Sequence, residues 1–200
     1  MDMLELLEMD AIIEVNDKGR YVAHRNPPLL RPAVLIPGSF APAHRGHWAL
    51  AQAAERILRK PVAFELSMVN VDKPDLTLAE LRERMPPFRN KASLWLTRAA
   101  TFRDKAALFP GTVFVVGADT AQRLVDLAYH GDSAKTMLEA LDEIRSRKCR
   151  FLVGGRVNAA GQFVGLADLG VPADFSDLFG EIPAERFRID LSSTELRQRR

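Results

Sequence analysis

Two histidines three residues apart, His44 and His47, lie in the stretch Gly38-Ser39-Phe40-Ala41-Pro42-Ala43-His44-Arg45-Gly46-His47. An imidazole can donate a hydrogen bond to a phosphate oxygen, shuttle a proton, or ligate a metal. Residues at i and i+3 can share a helix face, so a metal pair is one reading. No HExxH pattern accompanies them, and His24 and His130 lie in unrelated contexts, which disfavours zinc. A second reading is plain capping and packing in a turn. A third is phosphate contact. The apolar run Ala33-Val34-Leu35-Ile36 before the stretch predicts a buried strand, and Trp48 to Leu58 after it predicts a helix. In open α/β sheets ligands bind at the carboxyl ends of strands. A helix N-terminus offers unpaired N–H groups and a positive dipole end, both suited to phosphate. A helix starting near Gly46 puts both imidazoles beside those groups, and Gly46 lets a ligand approach the backbone.

Near the other end, Leu191-Ser192-Ser193-Thr194-Glu195-Leu196-Arg197 carries three successive hydroxyls and an arginine one turn on. Ser192 to Glu195 makes a capping box without any ligand. A cap needs only one hydroxyl, and Ser192, Ser193, Thr194 and Arg197 together make a cradle for a polyphosphate. Gly117-Ala118-Asp119 closes the most strand-like run of the chain, Thr112 to Val116; it is a turn or helix cap, or a nucleotide contact. Lys73 and Arg84 follow a second strand, Val62 to Val69, and read either as solvated charges or as contacts for a second substrate.

The paired motifs resemble the T/HxGH and ISSTxxR signatures of the nucleotidyltransferase superfamily, in the same order and each at a strand-to-helix junction. The resemblance covers about Ala33 to Arg200. It implies that His44 and His47 donate hydrogen bonds to the α-phosphate of a nucleoside triphosphate during transfer. Gly38, Ser39, Phe40, Gly46, Gly117 and Asp119 would join the nucleotide-binding set, with Ser192, Ser193, Thr194 and Arg197 on the β- and γ-phosphates. Lys73 and Arg84 would bind a small phosphorylated acceptor, and Mg²⁺ would bridge the substrate phosphates. The layout around Lys73 to Met85 and the Gly-x-Asp element resemble adenylyltransferases acting on nicotinamide mononucleotide. Cytidylyl transfer, another phosphate acceptor, or a nucleotide-binding module without turnover stay open. Ala41 departs from the Asp or Asn common before the proline. A relationship to class I aminoacyl-tRNA synthetases is disfavoured, because no KMSKS-like loop or basic tRNA face is visible.

The elements that must position these residues alternate strand and helix, which predicts an α/β, Rossmann-like, doubly wound parallel sheet. The expected helices are Leu76 to Met85, opened by a Thr77–Glu80 capping box and ended by Pro86-Pro87; Asn90 to Phe102; Thr120 to Tyr129; and Ser133 to Arg147. Further strands are expected at Phe151 to Val153 and Phe187 to Ile189, with a hairpin over Val157 to Val164. Residues 1–30 form an N-terminal extension, with hairpin chemistry in Asn16-Asp17-Lys18-Gly19, before a nucleotidyltransferase domain over 31–200. That extension reads as a hairpin packed on the domain or as the remnant of a fusion. Trp48 and Trp95 read as core.

The chain has 200 residues, 47% hydrophobic and 27% charged, enough for one domain with an adequate core. Its 28 basic and 26 acidic residues give a net charge of +2, too balanced for a nucleic-acid or membrane footprint. The lone Cys149 excludes an internal disulfide and reads as an inert buried thiol. The acidic start lacks the pattern of a signal peptide, and no run reaches membrane-span length, so a cytoplasmic location is expected.

Overall fold

In the computed structural model, residues 3–8, 11–24, 26–69, 71, 74–158 and 160–188 are described. One eight-stranded sheet runs through the centre. Its strands are β1 (Ile12–Val15), β2 (Tyr21–His24), β3 (Val34–Pro37), β4 (Ala63–Ser67), β5 (Leu94–Thr97), β6 (Val113–Gly117), β7 (Arg150–Gly154) and β10 (Phe179–Ile182). A separate two-stranded hairpin is formed by β8 (Arg156–Val157) and β9 (Phe163–Val164). The helices are α1 (Met3–Glu8), α2 (Arg45–Leu58), α3 (Leu78–Arg84), α4 (Phe102–Leu108), α5 (Ala118–Val125) and α6 (Ala134–Ser146).

The strand order is β10-β7-β6-β3-β4-β5-β1-β2. From β3 the chain steps outward to β4 and β5, then returns to the other side of β3 for β6, β7 and β10, all parallel. The reversal between β3 and β6 is the topological switch point at which such sheets bind ligands. The two faces alternate along β3 to β7. Val34, Ile36, Phe64, Leu66 and Val115 pack against α2 and α3; Leu35, Ala63, Phe114, Val116 and Phe151 pack against α4, α5 and α6. Burial on both faces explains why these strands read as continuous apolar runs.

The expected doubly wound α/β sheet is what the chain forms, and the Thr77–Glu80 capping box opens α3 with both reciprocal hydrogen bonds. The hairpin at 157–164 is β8–β9. The N-terminal hairpin is also present, and β1 pairs antiparallel with β5, so it is sewn into the sheet.

Three expected elements need correction. The helix expected over Thr120 to Tyr129 is α5, which ends at Val125; Asp126 is extended, and Leu127–His130 forms a separate 3-10 turn. Asn90 to Phe102 is not a helix. Leu94–Thr97 is β5, buried at every position between β4 and β1, and Asn90 turns with φ +59°. An apolar run buried on both sides carries no period that separates strand from helix. The last sheet strand is β10 at Phe179–Ile182, and not Phe187 to Ile189; Phe187 and Arg188 form no strand, and Ile189 lies outside the described residues. The Phe187 ring instead packs beside Leu50 at the end of β7, where a Cβ on Gly154 would meet both at 2.6–2.8 Å.

Candidate active site

β3 delivers the chain to the carboxyl edge of the sheet at Pro37, and the next residues fold back to start α2. Phe40 has φ +43°, a left-handed backbone that is rare for a bulky residue. Packing holds it there. Its ring is 1% exposed and lies edge-on to His47, Phe64 and Phe88 at centroid distances of 5.0, 5.5 and 5.1 Å. A Cβ on Gly38 would sit 2.7 Å from that ring, so glycine is what lets the ring fold back. Phe40 therefore offers a ligand only its main chain; its side chain supports His47.

His44 is the N-cap of α2. Its Nδ1 accepts from the Gly46 N–H at 3.1 Å, and His47 Nδ1 accepts from the His44 N–H at 3.1 Å. This is a reciprocal capping box made from two imidazoles. A ring that accepts at Nδ1 carries its proton on Nε2, so both histidines are neutral donors at that atom. Electrostatics agree. Burial, then the neighbouring His44, pushes the His47 pKa down to about 4. Burial, then Arg45, lowers that of His44. The two rings lie 3.9 Å apart at the helix N-terminus, where Gly46 is buried in the first turn. Capping uses the Nδ1 atoms of the two rings, so it does not compete with a phosphate contact through Nε2.

Across the switch point, β6 ends at Gly117, which caps α5 without a side-chain bond; a Cβ there would touch nothing within 4 Å. Asp119 lies in the first turn of α5 and pairs with Arg156 of β8. A cavity of about 340 Å³ joins these regions, lined among others by Gly38, Ser39, Glu65, Lys105, Asp119 and Arg123. It thus brings the loop after β3 together with the start of α5. Arg84 stands apart from it: Nη1 donates to the Ser39 carbonyl at 3.0 Å and Nη2 to Glu80 at 2.8 Å, which braces the loop. Lys73, Ser192, Ser193, Thr194 and Arg197 lie outside the described residues.

Sequence reading missed the cavity floor. Glu65 of β4 is 0% exposed and Lys105 of α4 6% exposed. Lys105 Nζ donates to Glu65 Oε1 at 2.8 Å and to the Ala99 carbonyl at 2.7 Å, and Thr97 of β5 donates from Oγ1 to the same Oε1 at 2.6 Å. Glu65 Oε2 has no hydrogen-bond partner among the described residues. The available signal was a lone glutamate inside the apolar run Val62 to Val69, since a charge on a strand buried on both faces demands a partner.

Among the described residues, no three His, Cys, Asp or Glu side chains gather as a metal site. None of the described helices is long and apolar enough to cross a membrane. Cys149 is buried, and burial raises its thiol pKa, consistent with an inert thiol. Trp95 is core, whereas Trp48 is partly buried, with Lys91 Nζ 4.9 Å from its ring centroid.

Comparison with curated proteins gives no match. A family model described as cytidylyltransferase-like matches residues 35–199, from inside β3 onward, leaving the N-terminal hairpin outside the match. That match runs through the histidine turn, the switch-point cavity and the Gly117–Asp119 corner, and the chain belongs to the cytidylyltransferase-like family of the nucleotidyltransferase superfamily.

Proposed function

We propose that the protein transfers a nucleoside monophosphate from ATP to a small phosphorylated acceptor, nicotinamide mononucleotide, with release of pyrophosphate. The observation that carries this reading is the pair of neutral imidazoles at the α2 N-terminus, each with Nδ1 engaged by the backbone and its proton on Nε2. An acceptor phosphate oxygen attacks the α-phosphorus of the triphosphate. A new P–O bond forms, the bond to the β-phosphate oxygen breaks, and pyrophosphate leaves with that electron pair. No covalent enzyme intermediate is needed, because such transfers are catalysed by positioning and charge stabilisation. His44 and His47 donate to the α-phosphate oxygens, and the buried ring of Phe40, itself packed on Phe88, keeps the His47 ring in place.

Ser192, Ser193, Thr194 and Arg197 are the proposed contacts to the β- and γ-phosphates. Gly38, Ser39, Gly46, Gly117 and Asp119 line the nucleotide's path, and Lys73 and Arg84 serve the acceptor side, Arg84 through its hold on the Ser39 loop. The described carboxylates suit a metal carried by the substrate better than a protein cage. Asp119 is engaged by Arg156, and one oxygen of Glu65 by Lys105 and Thr97. Mg²⁺ held by the triphosphate oxygens would neutralise their charge.

The family description favours a second reading, cytidylyl transfer. Pyrophosphate release measured with ATP and with CTP across phosphorylated acceptors separates the two. The expected result is turnover with ATP and nicotinamide mononucleotide. Turnover with CTP alone transfers the assignment to the second reading, and triphosphate binding without release by any pair leaves a binding module.

A further inference from the structure

The N-terminal extension meets the family-matched domain at a seam, and the seam is hollow. A cavity of about 220 Å³ lies there, with Met3, Val15 and Gly19 on the side of the extension and Met85, Phe88 and Leu94 on the other. That is room for a benzene-sized ring and a few further atoms, since about 150 Å³ already holds benzene. The walls suit such a body. Val15, Phe88 and Leu94 are buried core residues, and Met3 and Met85 pack against the same core. The polar side chains of the lining are Asn16, Arg82 and Arg89, with no aspartate or glutamate among them. Asn16 is engaged by its own turn, where Oδ1 accepts from the Lys18 and Arg20 N–H groups. Arg82 and Arg89 are exposed, and neither side chain has a hydrogen bond or ion pair among the described residues. Arg89 Nε lies 3.4 Å from where a Cβ on Gly19 would stand, which places its guanidinium at the rim beside the exposed turn.

We propose that the seam binds a small carboxylic acid with an apolar body the size of an aromatic ring, its carboxylate held by Arg82 and Arg89. Charge decides the class. Two guanidinium groups and no carboxylate line one opening, so an anion is attracted and a cation repelled. The guanidinium fork matches a carboxylate in geometry, and its weak hydration eases the exchange of water for that contact. The apolar walls then select against a bare anion, which has no surface to bury there. A mostly apolar lining with a few polar groups at one end is the make-up of small-molecule sites, and such sites favour the junction of two units. The seam shares no lining residue with the switch-point cavity. The proposal therefore goes beyond the nucleotide chemistry and holds for whichever triphosphate and acceptor that centre takes. Phe88 links the two places, since its ring lies 5.1 Å from that of Phe40, which supports His47.

The test separates the head of the ligand from its body, by calorimetry on the full chain. The probes are hydrocinnamate, a phenyl ring on a short chain ending in a carboxylate; its uncharged amide; and acetate, the head alone. Hydrocinnamate should bind at one site, on the order of tenfold tighter than the amide, and acetate should give no measurable heat. A saturating non-hydrolysable ATP analogue should leave the hydrocinnamate affinity unchanged. Replacing both exposed arginines, Arg82→Ala with Arg89→Ala, should remove the preference for acid over amide and leave the amide bound as before. Ala92→Leu extends a side chain of the lining into the cavity and should weaken acid and amide together. No binding of hydrocinnamate, equal binding of acid and amide, or displacement by the ATP analogue would overturn the proposal. So would a preference that survives the double arginine variant, or an acid affinity untouched by Ala92→Leu. If Ala92→Leu fails to fold, the arginine variant decides alone, because surface substitutions of that kind leave stability nearly unchanged.

Discussion

The histidine turn and the Glu65–Lys105–Thr97 cluster are built on opposite plans. The turn is local, and its two imidazoles are uncharged. His44 and His47 share ten residues with Gly38 and Phe40, and the polar atoms their rings satisfy are backbone N–H groups of the same turn, those of Gly46 and His44. The cluster is charged and assembled by tertiary structure. Thr97 and Lys105 are 32 and 40 residues from Glu65 and arrive on a different strand and on a helix. Chemistry that depends on neutral donors can be held by a helix end. A buried charge can be held only by another element that brings its counter-charge, so its loss should be felt by the whole fold.

The largest expected effect comes from separating that pair. Lys105→Met should leave Glu65 as an uncompensated buried charge and cost about 3–5 kcal/mol of stability. Chemical denaturation reads this directly, and a double variant, Glu65→Leu with Lys105→Met, should recover much of it. A single variant as stable as the wild type would mean that the two regions do not differ as described.

At the turn the loss should appear in rate. His47→Ala should lower kcat by roughly 10²–10³, the effect of deleting one preorganised donor at ~2.7–4 kcal/mol. Loss of the reciprocal cap should cost only about 1 kcal/mol of stability. If kcat is kept and the triphosphate binds more weakly, the ring is a clamp and not a transition-state donor.

The last effect appears only when the pH is lowered. The folded His47 pKa of about 4 lies below its ordinary value of 6.5, so the unfolded chain binds more protons between those limits. Stability is therefore full above pH 6.5 and falls as pH drops toward 4, by about 3 kcal/mol from this group. Replacing His47 by Gln should flatten the stability curve in that window. An unchanged slope in the variant would assign it to other groups.

What the sequence disclosed follows the same division. The β3–α2 junction was legible because its signals are adjacent: an apolar run, a glycine turn and a helix start. The α3 cap was legible because Thr77 and Glu80 are three residues apart. β5 was hidden because Leu94, Trp95 and Leu96 are buried on both faces and show no alternation. β10 was hidden because Gly180 and Glu181 interrupt its apolar pattern. The Glu65 partners were out of reach, since nothing local in Phe102–Leu108 says which strand Lys105 will meet.

The pairing of β1 with β5 decides what the molecule shows to its neighbours. Without it, β5 would end the sheet as a bare row of N–H and C=O groups beside apolar side chains, a template for joining another chain. The hairpin closes that template and leaves β2 outermost, a strand of four residues; at the opposite margin β10 is equally short. Short outer strands give a stray chain little length to pair with, so a wide parallel sheet is bounded by two margins poorly suited to growth.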